Sequence, residues 1–391
     1  MNTVITILIL PILAYLFVTS FYQLVLALAS KRYNSPNISG SEDQRVCVVV
    51  PCYKSDETIL TSCRYNMKVI RENEGSDLLI IADQLQKSTI QELKALGAKV
   101  VEVSYEKSTK VKALNCAVAY LKSHHTYDSV LVLDADNLLH HKFSKVTSFY
   151  HQQGYPCIQG ERLPMNQDTT LAILDGLSEK ANQEMLCKGA NVFGMSSKLT
   201  GSAMSFNFYL FMRVIPELNA VGGFDKELEL LLTSQDVFVK YTPELMVLDE
   251  KVRSSADFEK QRGRWLQSQY AFLAKSLSPA LAKAKGGNFD YLHKSLQLAL
   301  PPRIIAPLAW IALIALALIT GSNLVFSFSV IGFVGLMSSY LISIPFHWWA
   351  GHLPSILRAL PRLFLSGFKS LFWMKRAKTQ FLHTRHQAAI S

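Results

Sequence analysis

Charge is scarce in this 391-residue chain: Asp, Glu, Lys and Arg make up 18% of it, against 49% hydrophobic residues. So little charge and so much apolar content exclude a disordered or collagen-like chain. The six cysteines, Cys47, Cys52, Cys63, Cys116, Cys157 and Cys187, form no C-x-x-C pair and no His-linked zinc spacing. That excludes a small disulfide scaffold and a zinc finger, and leaves packed free thiols in a reducing compartment. Internal repeats and low-complexity segments are missing. So are basic runs interleaved with aromatics, and nucleic acid is therefore not an expected partner.

What is abundant is apolar sequence at the two ends. Residues 4–29 form an uncharged run long enough to cross a bilayer. Its positive charge follows the apolar core, at Lys31 and Arg32, which predicts a retained anchor with a cytosolic C-terminal side rather than a cleaved signal. Residues 304–320 and 324–344 are two further apolar runs separated by Gly321-Ser322-Asn323, and predict a transmembrane hairpin. Residues 353–374 are apolar but carry Arg358, Arg362 and Lys369, the pattern of an amphipathic helix lying at the bilayer surface. Part of the net charge of +10 sits beside these segments, including Lys375, Arg376 and Lys378, and suits anionic lipid. Asn37-Ile38-Ser39 matches a glycosylation sequon, but this charge pattern keeps it out of a lumen. The expected division is an anchor at 1–33, a cytosolic domain at 34–295, a transmembrane hairpin at 296–352, and a surface helix with a basic cytosolic tail at 353–391.

The middle reads as an α/β domain. Strand-like β-branched runs at 45–51, 78–82, 99–103 and 129–133 alternate with helix-like stretches at 57–71, 89–96 and 110–121. That order predicts a mostly parallel sheet covered on both faces, with ligands at the C-terminal strand ends. Three of those ends carry polar groups. Val50-Pro51-Cys52-Tyr53 closes the first, with Glu57 just beyond, Asp83 closes the second, and Asp134-Ala135-Asp136-Asn137 closes the fourth. Two carboxylates two residues apart, with the Asn137 oxygen beside them, suit Mg2+ or Mn2+ holding a diphosphate. Lys110 and Lys112 open a helix where ammonium groups can meet phosphate charge. Gln261-Arg262-Gly263-Arg264-Trp265 brings two guanidinium groups and an indole together before the apolar hairpin, a set that suits a diphosphate and a stacked sugar, or equally a headgroup-level belt.

Taken in order, the motifs VVVPCYKSDET (48–58), KVKALN (110–115), LVLDADN (131–137), GSAMSF (201–206), VGGFD (221–225) and QRGRW (261–265) resemble the membrane-bound glycosyltransferases of family 2, the group of cellulose, chitin and hyaluronan synthases. The resemblance spans about residues 46–270. The FLHTRH segment at 381–386 resembles a smaller bacterial branch. The resemblance implies a GT-A fold, an inverting glycosyltransferase and a nucleotide-diphosphate sugar donor, with UDP first among the nucleotides. It places Asp83 on the uracil or ribose side, and Asp134 and Asp136 on the diphosphate and a Mg2+ or Mn2+ ion. Pro51, Tyr53, Glu57, Lys112, Gln261 and Arg262 would line the donor, with Arg264 and Trp265 closing over it near the acceptor.

The family also uses a carboxylate base, usually in an E-D pair soon after G-G-F. Here the sequence runs Asp225-Lys226-Glu227-Leu228-Glu229-Leu230, with no such pair. Overlaying the pattern puts Glu227 in the catalytic position, with Asp225, Glu229 and Asp236 as rivals. The expected acceptor is a polysaccharide or a lipid-linked sugar at the cytosolic face of a bacterial inner membrane. Three spans are few for a closed polymer channel, so a homodimer or partner subunits would complete one. The missing pair also leaves open a non-catalytic sugar-nucleotide-binding scaffold or sensor of a polysaccharide synthesis complex.

Overall fold

The computed structural model describes residues 2–38, 44–124 and 126–377. Ser39 of the sequon, the tail from Lys378 onward and the FLHTRH segment lie outside the described residues. The chain opens with α1 (Asn2–Ser30) and enters an alternating run: β1 (Val46–Tyr53), α2 (Asp56–Arg71), β2 (Asp77–Asp83), α3 (Lys87–Ala95), β3 (Lys99–Val103), α4 (Lys110–Lys122) and β4 (Ser129–Val132). The two-residue β5 (Leu138–Leu139), α5 (Phe143–Gln152), β6 (Cys157–Pro164) and α6 (Thr170–Asn182) follow. A π-helical segment (Gln183–Gly189) runs from α6 into the short α7 (Ala190–Val192). Next come β7 (Met204–Asn207), α8 (Phe208–Val214), α9 (Phe224–Ser234) and β8 (Val239–Asp249). The C-terminal third is helical: α10 (Ser255–Lys285), α11 (Phe289–Leu298), α12 (Ile305–Thr320), α13 (Asn323–Ser343), α14 (Phe346–Trp349) and α15 (Leu353–Ala377).

The strands form one eight-stranded sheet in the order β3-β2-β1-β4-β7-β6-β8-β5. The expected parallel arrangement holds for β3, β2, β1 and β4. Beyond them the sheet is mixed, because β7 inserts antiparallel between β4 and β6, and β6 then pairs parallel with β8. The Met204–Asn207 strand is only four residues long and alternates apolar with Ser and Asn, too weak a period-2 signal to announce itself.

Burial explains the uninterrupted apolar runs. Along β1, Cys47 and Val49 join α4 in one core while Val46, Val48 and Val50 join α2 in the other. Successive side chains point to opposite faces, so a strand covered on both sides must be apolar at every position.

The helix α1 from Ile9, and α13, are each long and apolar enough to cross a membrane; α12, at 16 residues, is shorter. The three helices pack together through Leu13, Leu16, Trp310 and Leu336. The buried Trp310 Nε1 donates to Ser20 Oγ at 3.0 Å. Beyond Ser20, α1 runs against the α/β body: Leu26 and Ala27 pack with Ala181, Met185 and Leu186. At Gly189 the two backbones meet so closely that a Cβ would lie 2.2 Å from Leu26 O. The amphipathic α15 docks along α10.

Gly189→Val should therefore pry the body from α1. Overpacking costs about 1–3 kcal/mol in an interior that can yield, and here the obstacle is backbone. The expected outcome is a lower thermal midpoint in detergent, with Gly222→Ala, where a Cβ meets nothing within 4 Å, unchanged.

Candidate active site

The C-terminal ends of β1, β2, β4, β6 and β8 share one edge of the sheet, since all five strands run the same way. Tyr53 and Asp83 are register partners at the ends of β1 and β2. Asp83 is buried, and its Oδ1 accepts from Tyr105 N at 3.3 Å. Past β4 the chain turns through Asp134 and Asp136 and runs straight into β5, which pairs with the end of β8. Burial pushes the Cys52 thiol at the end of β1 up to about 12, and the charges of Asp56, Asp83 and Asp136 act in the same direction. Asp56, which also accepts from Gln86 N at 2.8 Å, was not singled out in the sequence.

Asn137 pins this turn. It is wholly buried, its Nδ2 donates to Asp249 Oδ1 at 2.9 Å, and its Oδ1 accepts from Ser202 Oγ. It is therefore a structural clamp and not the third oxygen ligand that its position beside the carboxylates suggested. Asp249 in turn accepts from Arg162 at 2.9 Å and from Lys251 at 2.6 Å. Burial works to raise its pKa, but Arg162 and Lys251 outweigh it and hold the carboxyl well below the usual range.

Lys110 and Lys112 part company on α4. The Thr109 side chain caps the helix by accepting from Lys112 N, which fixes where the first turn begins. Lys110 Nζ forms an ion pair with Asp134, donates to Gly201 O at 2.7 Å and lies 5.1 Å from the Phe224 ring centroid. Lys112, two residues on and so about 200° around the helix, donates instead to Lys107 O at 2.7 Å beside the Tyr105 ring. Lys110 is thus the cation at the carboxylate turn, and Lys112 borders the loop that reaches Asp83. Glu57 is exposed in the first turn of α2, and Pro51 is the partner of Ile81 in the β1–β2 ladder.

The facing wall is the start of α9. Gly223, with φ +71°, is its N-cap, and a Cβ there would lie 2.5 Å from Ser268 Cβ on α10. A side chain at Gly223 meets both a strained backbone and a filled space. Phe224 and Asp225 approach Gly201, so Asp225 stands on the side of Lys110 and Asp134. Its carboxylate pairs with Lys226 at 3.2 Å. Glu227, about 200° further around the helix, accepts from Asn219 N at 3.0 Å and Ala220 N at 2.7 Å and ties down the preceding loop. Glu229 is buried and accepts from Leu199 N at 2.6 Å. Asp236 bonds Asn288 at 2.8 Å at the far end of α9.

A family model described as glycosyltransferase-like family 2 matches residues 44–268. The chain belongs to this family. Its fold is shared with a solved mannosyltransferase from Pyrobaculum calidifontis, in complex with GDP-Man and Mn2+, which is 13% identical with a TM-score of 0.53 over 94% of this chain and 97% of that one. A glucosyl-3-phosphoglycerate synthase from Mycobacterium tuberculosis, solved with Mn2+, UDP and glucosyl-3-phosphoglycerate, also matches, at 15% identity and a TM-score of 0.37 over 55% of this chain and 75% of that one. No curated protein sequence matches the chain significantly. The mixed sheet with its flanking helices is thus a family 2 domain of the GT-A kind.

In this family 2 chain the QRGRW segment lies on α10 and divides its attention. Arg262 forms an ion pair with Asp175 of α6 and stacks 4.5 Å from the Trp265 ring centroid. Gln261 is half-buried beside it. Burial pushes the Arg264 guanidinium down from its usual basicity. Trp265 is 40% exposed, one turn before the Ser268 that touches Gly223. Gly263 lies flush with Trp373 of α15, where a Cβ would be 2.6 Å from Trp373 Cβ.

Among the described residues no three His, Cys, Asp or Glu side chains converge as a metal cage. Asp134 and Asp136, half-exposed at the strand edge, offer two hard oxygen ligands. That donor set fits Mg2+ or Mn2+ completed by phosphate oxygens and water.

Removing the clamp should be costly. Asp249→Ala leaves Arg162 and Lys251 buried beside an empty place, and should cost about 3–5 kcal/mol in thermal or denaturant unfolding. Because the folded Asp249 pKa is depressed, wild type keeps this stabilisation above about pH 4 and loses it as the pH falls further. The variant should show a shallower acid loss.

Proposed function

We propose that this chain is a membrane-embedded inverting glycosyltransferase that moves a sugar from a nucleotide-diphosphate donor, UDP-linked first, to a hydroxyl of a polysaccharide or lipid-linked acceptor. Its membership of glycosyltransferase-like family 2 and the apolar α1, α12 and α13 support this reading. In it α1 and the α12–α13 hairpin span the bilayer, α15 lies at its surface, and the domain faces the cytosol of a bacterial cell, as in the cellulose and chitin synthase-like branch. The observation that carries it is the Lys110–Asp134 ion pair at the C-terminal strand edge that Asp83 also ends, with Asp136 on the same turn and Asp225 across Gly201.

Asp83 with Tyr53 and Tyr105 receives the nucleoside, and Pro51, Glu57 and Lys112 border it. Asp134 and Asp136 would hold a divalent ion, which neutralises diphosphate charge. Lys110 adds its own charge to the leaving diphosphate. The acceptor oxygen attacks the anomeric carbon from the face opposite the leaving group. As that C–O bond forms, the anomeric bond to the diphosphate breaks and its electron pair departs with the nucleotide. The acceptor hydroxyl proton passes to a carboxylate. Asp225 is the better base than Glu227, because the Glu227 carboxylate is engaged by two backbone amides while Asp225 stands on the cleft side. Trp265 and Arg264 lie along the acceptor side, and Gln261 and Arg262 brace the α10 helix that carries them.

Nucleotide release by the detergent-purified protein tests this, with a panel of sugar nucleotides and Mg2+ or Mn2+. Asp136→Asn and Asp225→Asn should each lower turnover by about 10²-fold or more, as should Lys110→Met. Glu227→Gln and Lys112→Met should stay within a few-fold of wild type. Loss in Glu227→Gln with Asp225→Asn intact would return the base to Glu227. Nucleotide binding without turnover of any donor would leave a scaffold.

A further inference from the structure

The GSAMSF segment (201–206) takes no direct part in the reaction above, yet it runs through the middle of the site. Its strand β7 is antiparallel to β4, with Met204 opposite Val132, so residues 200–203 arrive at the edge where the Asp134–Asp136 turn begins. Gly201 serves one side of that edge. Its carbonyl accepts from Lys110 Nζ at 2.7 Å, and a Cβ on it would lie 4.0 Å from Asp225 Cβ. Ser202 serves the other side and is wholly buried. Its Oγ accepts from Asp134 N at 3.0 Å and donates to Asn137 Oδ1.

A serine hydroxyl has one proton to donate. Here it goes to Asn137, whose own N–H closes the turn on Asp134 O at 3.1 Å. The hydroxyl thus ties the first and last residues of the turn together, with Asp136 between them. The Asn137–Asp249 bond fixes the far end of the turn; the near end, Asp134 N, has Ser202 Oγ and a longer contact to Asn137 Oδ1 at 3.3 Å. The segment that carries Ser202 is itself held. Gln159, wholly buried, donates from Nε2 to Ser202 O at 3.0 Å and accepts from Thr200 N at 3.0 Å. Ala203, next along, is kept at φ +52° while its carbonyl accepts from Gly160 N at 2.7 Å. A backbone of that kind persists only where its surroundings over-determine it.

We propose that Ser202 is a positioning residue for the divalent ion: its hydroxyl aims the Asp134 and Asp136 carboxylates, and its peptide link to Gly201 sets how their turn stands relative to Lys110 and Asp225. The proposal rests on the glycosyltransferase reading and adds to it the part that joins the metal side of the cleft to the base side. Ser202 touches neither metal nor substrate; it acts through the Asp134 backbone. Without the hydroxyl, Asp134 N keeps only its longer contact to Asn137, and two like charges on one turn repel each other. Removing an outer partner of this kind typically changes metal affinity by about 10–100-fold.

Metal binding, not turnover, tests it. The full chain in detergent is titrated with Mn2+ in the presence of UDP or GDP, and free Mn2+ is read by electron paramagnetic resonance. Asp136→Asn should abolish the binding, which ties the signal to this turn. Ser202→Ala should raise the Mn2+ dissociation constant by about tenfold or more. Ser202→Cys keeps the space filled but offers only a weak donor and acceptor, and should shift affinity the same way if the alanine variant folds poorly. Gly189→Val, destabilised at the α1 contact, should bind Mn2+ as wild type does. Wild-type affinity in both Ser202 variants, an equal loss in Gly189→Val, or binding that survives Asp136→Asn would each overturn the assignment. A wild type that binds Mn2+ with neither nucleotide would sink the donor reading itself. A wild type that binds it, with the Ser202 variants indifferent, would remove Ser202 alone and leave that reading standing.

Discussion

Everything at the candidate site hangs on one buried carboxylate. Asp249 ends β8 and takes hydrogen bonds from Asn137, Arg162 and Lys251. Glu179 closes the group by pairing with the same Arg162 and Lys251, so two anions meet two cations. Such a quartet gains little over an apolar core, because desolvating four charges offsets their attraction. What it provides is a fixed position. Through Asn137 it holds the Asp134–Asp136 turn, and through Arg162, which donates to Thr200 O at 3.1 Å, it holds the segment whose Gly201 carbonyl receives Lys110. On the proposed reading, carboxylates that would hold a metal and a diphosphate need such backing, since their own mutual repulsion works to spread them.

The second constraint is the close packing of helices where the α/β body meets α1 and α15. The π-helical segment meets α1 backbone to side-chain-free backbone at Gly189, while α10 meets α15 at Gly263. Short separations of this kind transmit displacement, because no flexible side chain lies between the helices to absorb it. Movement of α15 would be felt at Trp265, and through Ser268 at the Gly223 turn that sets where α9 begins.

The sequence made the first half of the fold legible for a physical reason. Strands buried on both faces must be apolar throughout, and their ends must return to polar groups, so β1, β2 and β4 and the Asp83 and Asp134 positions announce themselves, while the part-exposed edge strand β3 shows only a short β-branched run. The same logic fails at i and i+2 on a helix. Lys110 and Lys112 have identical chemistry and near-identical neighbours, and only the Thr109 cap decides which one meets Asp134. Asp225 and Glu227 pose the same problem, and the position of Gly223 decides it. Asn137 and Asp249 are 112 residues apart, and no local pattern links them. The insertion of β7 between β4 and β6 was equally invisible, because pairing order is a property of the sheet and not of the strand.

Charge along the molecule is layered. Asp83 and the Asp134–Asp136 turn put carboxylates at the C-terminal strand edge, beside the Lys110 ammonium. Arg303, where the body meets its apolar helices, is held by the neutral oxygens of Ser178 and Asn182. Asp225 and Lys226 stand at the boundary as adjacent residues of opposite sign. On the reading proposed above, a base at Asp225 would keep the Lys226 ammonium at hand in its ionised form, and a proton taken from an acceptor would weaken that pairing.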